Sequence, residues 1–189
     1  ITAAMVGNDL ISGKDALTSS PADTDELLIS DAGTLKRIDV SLVGGKNTPA
    51  FFVTKTSNQG VSDATFTKAT FDTEVFDTDS AFASDKFTVP SGEGGKYFFF
   101  ASMRGTANSG TMDYFILRFY KNGSTDLTPF QLNLATNQLK NSHIAGSALY
   151  DLSAGDYIEV YCQISGDNTI IGGNSTTDRS FFGGYKLIT

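Results

Sequence analysis

The stretch Lys96-Tyr97-Phe98-Phe99-Phe100-Ala101 places large aromatic side chains on consecutive positions of a run bounded by Gly95 and Gly105. In an extended chain successive side chains point to opposite faces, so Tyr97 and Phe99 fall on one face and Phe98 and Phe100 on the other. A strand with one face on a core and one in water does not read this way. The doubling recurs where Phe115, Leu117 and Phe119 alternate with Tyr114, Ile116 and Tyr120. It recurs again where Ile158, Val160, Cys162 and Ile164 alternate with Tyr157 and Tyr161. A second apolar face needs a cover, and either a symmetric partner subunit or a folded-back segment of the same chain supplies one.

The remaining pattern is that of short strands punctuated by Gly, Asn, Asp, Ser and Thr. Candidate strands are 50–56, 69–76, 86–89, 96–104, 112–121, 126–134, 141–151, 156–165 and 180–188, with no sustained helical period. These runs predict an all-β antiparallel sandwich of the jelly-roll kind. Asn122-Gly123 is the strongest hairpin signal, because both residues tolerate the positive φ of a type I′ turn.

The first 48 residues have a different texture. All 15 Phe and 7 Tyr lie after Thr48, and Gly44-Gly45-Lys46-Asn47-Thr48-Pro49 reads as a flexible boundary. We therefore divide the chain into a segment 1–48 and a domain 49–189. Within the segment, 27–30 and 34–40 flank Asp31-Ala32-Gly33 and predict a small β-hairpin with a three-residue loop ending in Gly. A two-stranded hairpin is marginal alone, so it should dock on something else. Leu27, Leu28, Ile29, Leu35 and Ile38 are its candidate docking residues.

Charge and chemistry narrow the function classes. With 14 basic and 21 acidic residues the net charge is −7, which opposes nucleic acid or an anionic lipid surface as the main partner. The longest purely apolar run, Tyr97 to Ala101, is far below the roughly 18–20 residues of a spanning helix, so no membrane insertion is expected. The one cysteine, Cys162, lies on an inward parity and reads as a small core hydrophobe; the one histidine, His143, reads as a surface strand residue. Asp72, Glu74, Asp77 and Asp79 cluster, and alternation puts Asp72 and Glu74 on one side, the raw material of glycoside acid–base chemistry. Solvated strand-end carboxylates in an acidic protein are the plainer reading, and no enzyme activity, metal or cofactor is expected. Asn122-Gly123-Ser124 and Asn174-Ser175-Thr176 satisfy the glycosylation acceptor rule.

The aromatic spacing also carries a resemblance. Phe71, Asp77, Phe82 and Phe87, then Thr88-Val89-Pro90, then Gly95-Lys96-Tyr97-Phe98-Phe99, resemble the signature of the C1q-like family, whose globular head shares its jelly roll with tumour necrosis factor. Lys121-Asn122-Gly123, Leu152-Ser153-Ala154-Gly155-Asp156 and the terminal Ser180-Phe181-Phe182-Gly183-Gly184-Tyr185 extend the likeness to the C-terminus. Departures are a shortened Phe82–Phe87 interval, a lengthened Phe87–Gly95 interval, Ala101 in place of an aromatic, and no collagen-type repeat. The resemblance implies a homotrimer, with Phe98, Phe100, Tyr114, Ile116, Tyr120, Tyr157 and Tyr161 as its candidate interface. It also implies that calcium is an option at the oxygen-rich loops Asp167-Asn168 and Asp178.

Residues Asp23 to Ser41 resemble a segment that recurs in tailed-phage virion proteins ahead of a variable exterior domain. That likeness implies a virion structural protein, a head-fibre, decoration or tail-fibre subunit on the particle surface. Its partners would be capsid or tail proteins at the docking segment and a host-surface glycan or protein at the head. A secreted C1q-like module that recognises carbohydrate or protein is the alternative, and a polysaccharide depolymerase the third reading.

Overall fold

The computed structural model describes residues 15, 17–173 and 180–188. Asp178 and the acceptor Asn174-Ser175-Thr176 lie outside the described residues, as do the side chains of Asp167 and Asn168. Contacts divide the chain into units Ile1–Gly45 and Lys46–Thr189.

The first unit contains a hairpin of β1 (Glu26–Asp31) and β2 (Thr34–Asp39), followed by a 3₁₀ turn at Val40–Leu42. Its loop is tighter than the sequence predicts. Asp31 pairs directly with Thr34, and Ala32 and Gly33 alone turn the chain at φ 48° and 84°. Two consecutive positive φ values make a type I′ turn, whose twist matches that of the flanking strands. Arg37 pairs with Glu26 at 3.0 Å and Lys36 with Asp31, all four on the surface, where such pairs contribute little.

The second unit is a two-sheet antiparallel sandwich. Its strands are β3 (Ala50–Lys55), β4 (Gln59–Gly60), β5 (Thr67–Lys68), β6 (Thr73–Asp77), β7 (Phe82–Ala83), β8 (Lys86–Thr88), β9 (Gly95–Lys121), β10 (Thr125–Asn133), β11 (Asn141–Leu152), β12 (Tyr157–Gly172) and β13 (Ser180–Lys186). The first sheet runs β6-β3-β13-β9-β11, using the first half of β9. The second runs β7-β8-β12-β9-β10, using its second half, with β4 and β5 also on β12.

One strand therefore belongs to both sheets. The sequence predicts separate strands at 96–104 and 112–121, but β9 is continuous over 27 residues. Gly105 and Gly110 lie where it passes between sheets; a Cβ at Gly105 would stand 2.8 Å from the Phe115 ring, so only glycine fits that crossing. The predicted strand 69–76 is instead broken. Thr67–Lys68 pairs with the second sheet and Thr73–Asp77 with the first. The crossing residues take side-chain partners: Thr70 N–H donates to Gln59 Oε1 at 2.9 Å and Phe71 N–H to Asp85 Oδ1 at 2.7 Å. Side chains from β4 and from the β7–β8 turn thus replace the ladder there. The two-residue strands β4 and β7 are too short to leave a periodic signal.

The inner faces meet in an aromatic core. Phe51 stacks on Phe87 at 4.9 Å and meets Phe182 edge-on at 4.9 Å, while Phe119 from the second sheet reaches Phe182 at 6.0 Å. Tyr97, Phe99, Phe115, Leu117, Ile158, Val160, Cys162 and Ile164 are fully buried in the same cluster, as their parity predicts. Burial pushes the Cys162 thiol far up, so it is a packing group.

Candidate interaction surfaces

The other parity of the first sheet builds a continuous aromatic face. Phe76 from β6, Phe52 from β3, Phe181 and Tyr185 from β13, and Phe98 and Phe100 from β9 are linked by ring separations of 5.6–6.3 Å. Register explains the adjacency, since Gly183 is paired with both Phe52 and Phe100 and Tyr185 with Phe98. A Cβ on Gly183 would lie 2.6 Å from Phe100 and 2.9 Å from Phe52, so the missing side chain lets the rings close over β13. Beside them an open groove of about 430 Å³ is lined by Phe98, Phe100, Phe181, Ala145 and Ser147. Phe76 is 48% and Leu149 62% exposed at the flanks. Such a contiguous apolar patch is the signature of an interaction face.

The seven candidate interface residues do not share one surface. Phe98 and Phe100 lie on this face, whereas Tyr114, Ile116, Tyr120, Tyr157 and Tyr161 take the outer parity of the second sheet, across the core. There Tyr120, Tyr157 and Tyr161 already have partners within the chain. Tyr120 and Tyr161 meet edge-on at 4.5 Å, and Lys86 Nζ lies 4.1 Å from the Tyr157 ring centroid. Phe66 meets Tyr120 at 6.3 Å and carries the Arg118 guanidinium 4.3 Å from its centroid. Parity was visible in the sequence; which outer face each strand serves was not. The sequence reading also missed Phe52, Phe76, Phe181 and Tyr185, although the Phe51-Phe52 and Phe181-Phe182 doublets carry the same signal as 97–100.

The acidic cluster is mostly engaged in holding loops. Asp72 accepts from Thr56 N–H and Oγ1–H at 2.8 and 2.9 Å and from Ser57 N–H at 2.9 Å. Burial opposes its charge, but those donors outweigh it and hold the carboxyl well below the usual range. Asp77 accepts from the N–H groups of Ala81 and Phe82. Asp72 and Glu74 do line one open pocket of about 400 Å³. A glycosidase acid, however, needs a raised pKa, and Asp72 moves the other way. Among the described residues no group of three His, Cys, Asp or Glu could hold a metal ion. His143 is exposed on β11.

In the hairpin, Leu27, Leu28, Ile29 and Leu35 are 46%, 70%, 37% and 70% exposed, and Ile38 is half-buried. Register puts Leu27 opposite Ile38 on one face and Leu28 and Leu35 on the other, so both faces present apolar groups.

The family model of the C1q domain matches residues 50–187. This chain belongs to the C1q domain family. No curated protein matches the sequence. Among solved structures, the globular domain of zebrafish complement 1qA protein is similar with a TM-score of 0.53 and 17% identity, covering 74% of this chain and 98% of that one. At that identity the likeness concerns the fold, and it agrees with the jelly-roll sandwich described above. C1q domains are non-enzymatic recognition modules that typically form homotrimers and bind ligands. In this C1q domain the contiguous aromatic patch lies on the outer face of the first sheet.

Proposed function

We propose that this protein is a non-enzymatic, homotrimeric C1q-type recognition head carried on the surface of a virus particle as a fibre or decoration subunit. The observation that carries the assembly is the aromatic face built by Phe52, Phe98, Phe100, Phe181 and Tyr185, which a neighbouring copy would cover. A closed ring of three needs two different patches on each subunit, of which this face would be one. Three linked heads raise the avidity of individually weak contacts with a host surface.

The display reading rests on the hairpin. Its likeness to a virion segment and its exposed Leu27, Leu28, Ile29, Leu35 and Ile38 support docking onto a capsid or tail protein. Light scattering on the full chain tests the assembly, with three times the 20.1 kDa protomer mass expected and a stable monomer at micromolar concentration overturning it. Antibody labelling of purified particles tests the display. The family match favours equally a secreted C1q-like recognition module, and particles that carry no label while the culture medium does would establish that second reading.

A further inference from the structure

The outer face of the second sheet holds a carboxylate whose fold supplies only half its partners. Glu159 takes the outward parity of β12, between the fully buried Ile158 and Val160, yet is only 6% exposed. Its Oε1 accepts from Lys68 Nζ at 2.8 Å, while Oε2 is buried without a partner. Leaving a charged oxygen in that state costs several times an ordinary hydrogen bond. A matching donor stands nearby. Arg118 pairs with Asp126 through Nη1 at 2.5 Å, but its buried Nε–H is unpartnered.

Register sets the two orphans diagonally across one pair of rings. Tyr120 pairs with Glu159 and Tyr161 with Arg118, and the two half-buried tyrosines touch at 4.5 Å between them. Tyr157 completes the wall. A Cβ on Gly123 would lie 3.0 Å from Tyr157 Oη and 3.7 Å from Glu159 Oε2, so the Asn122-Gly123 turn borders both.

We propose that this face is a binding subsite for an uncharged saccharide. One sugar hydroxyl donates to Glu159 Oε2, a second sugar oxygen accepts from Arg118 Nε–H, and the sugar's C–H face lies on one of the Tyr120 and Tyr161 rings, whose planes stand 72° apart. Both orphans are buried, so the hydroxyl enters as the other half-buried ring turns aside. Other ligand classes fit less well. Lys68, Lys86 and Arg118 repel a cation, a net charge of −7 repels a polyanion, and with Asp126 engaged by Arg118 the single free oxygen of Glu159 is too little for a hard divalent ion. The inference rests on the recognition function proposed above and names its ligand class.

The chain has no Trp, so its intrinsic fluorescence is that of its 7 tyrosines, of which Tyr120, Tyr157 and Tyr161 border this site; Tyr161→Ala identifies their share of any change. The full chain is titrated with the methyl glycosides of glucose, galactose, mannose and N-acetylglucosamine up to about 10 mM, a range that captures millimolar affinities. Tetramethylammonium is titrated in parallel. Saturable binding of at least one glycoside is expected, weakened about tenfold or more by Glu159→Gln and unchanged by His143→Ala on the other sheet. Where Glu159→Gln fails to fold by circular dichroism, Tyr161→Ala is expected to give the same loss. Binding of no glycoside, binding that survives both variants, or binding of tetramethylammonium alone overturns the subsite. Light scattering on the same samples separates the readings: a trimer that binds no glycoside overturns only this inference. A monomer that binds one supports the subsite and overturns the assembly.

Discussion

Phe52 and Phe100 come from strands that are not neighbours, yet their rings stand 6.0 Å apart because Gly183 lies between them with no side chain. The glycine is a requirement of the surface above the sheet, since its backbone is one any residue could adopt. Gly183→Val is therefore expected to turn both rings away and break the continuity from Phe76 to Phe98. The proposed trimer's dissociation constant should rise roughly 10- to 100-fold by sedimentation equilibrium, as for loss of an interface hot spot. Phe100→Ser should act in the same direction while leaving the far-ultraviolet spectrum unchanged. A trimer equally stable in both variants places the interface elsewhere.

Acid should unfold the head late. Asp156 is held to about 2 by hydrogen bonds from Lys121, Asn122 and the Ser153 N–H, and Asp72 lies well below the usual range for the reasons given above. Both folded values are lower than the unfolded ones. Their contribution is thus complete above about pH 4; Asp156's is lost as pH falls toward 2 and Asp72's at still lower pH. A urea midpoint that is flat from pH 7 to about 4 and then drops is expected. Asp156→Asn should flatten the drop and lower the plateau.

Tyr97 gives the alkaline counterpart. The side chain is fully buried, its hydroxyl donates to the Glu93 carbonyl at 2.6 Å, and burial followed by the Glu93 and Asp79 charges pushes it up to about 12. The neutral phenol is favoured in the folded state, so stability is lost as pH rises from about 10 toward 12. Tyr97→Phe keeps the ring and leaves that carbonyl without its hydroxyl donor, which should cost about 1–2 kcal/mol in urea unfolding at neutral pH. The same variant should unfold less steeply above pH 10.

Much of this was legible in the sequence where local signals are strong. Parity alone separated Tyr97, Phe99, Phe115 and Phe119 from Phe98, Phe100, Tyr114 and Tyr120 and put Cys162 inward, and the spacing from Phe71 to Phe99 pointed to the family. What the sequence hid is non-local. No alternation rule says that 95–121 is a single strand shared by two sheets, or that Thr67–Lys68 and Thr73–Asp77 separate onto different ones, because the fit of Gly105 against Phe115 and the side chains of Gln59 and Asp85 decide those crossings. For the same reason the doubled faces were visible one strand at a time. That Phe98 and Tyr120 look out from opposite sides depends on which neighbour each half of β9 takes.

The Asn122-Gly123 turn is the place where a local signal and a remote contact agree, and it yields the sharpest stability prediction. Asn122 and Gly123 adopt φ 55° and 74°, as a type I′ hairpin demands. Asn122 also reaches across the sheet, donating from Nδ2 to Asp156 at 2.9 Å and accepting from Tyr157 N–H at 3.0 Å. Gly123→Ala meets both a left-handed backbone and the Tyr157 hydroxyl, and is expected to cost about 1–2 kcal/mol. Asn122→Gly keeps the backbone geometry and removes only the two side-chain bonds. If the turn acts through φ alone, Asn122→Gly should be neutral; the geometry predicts instead a loss of about 1 kcal/mol or more, measured as a lower urea midpoint with an unchanged slope.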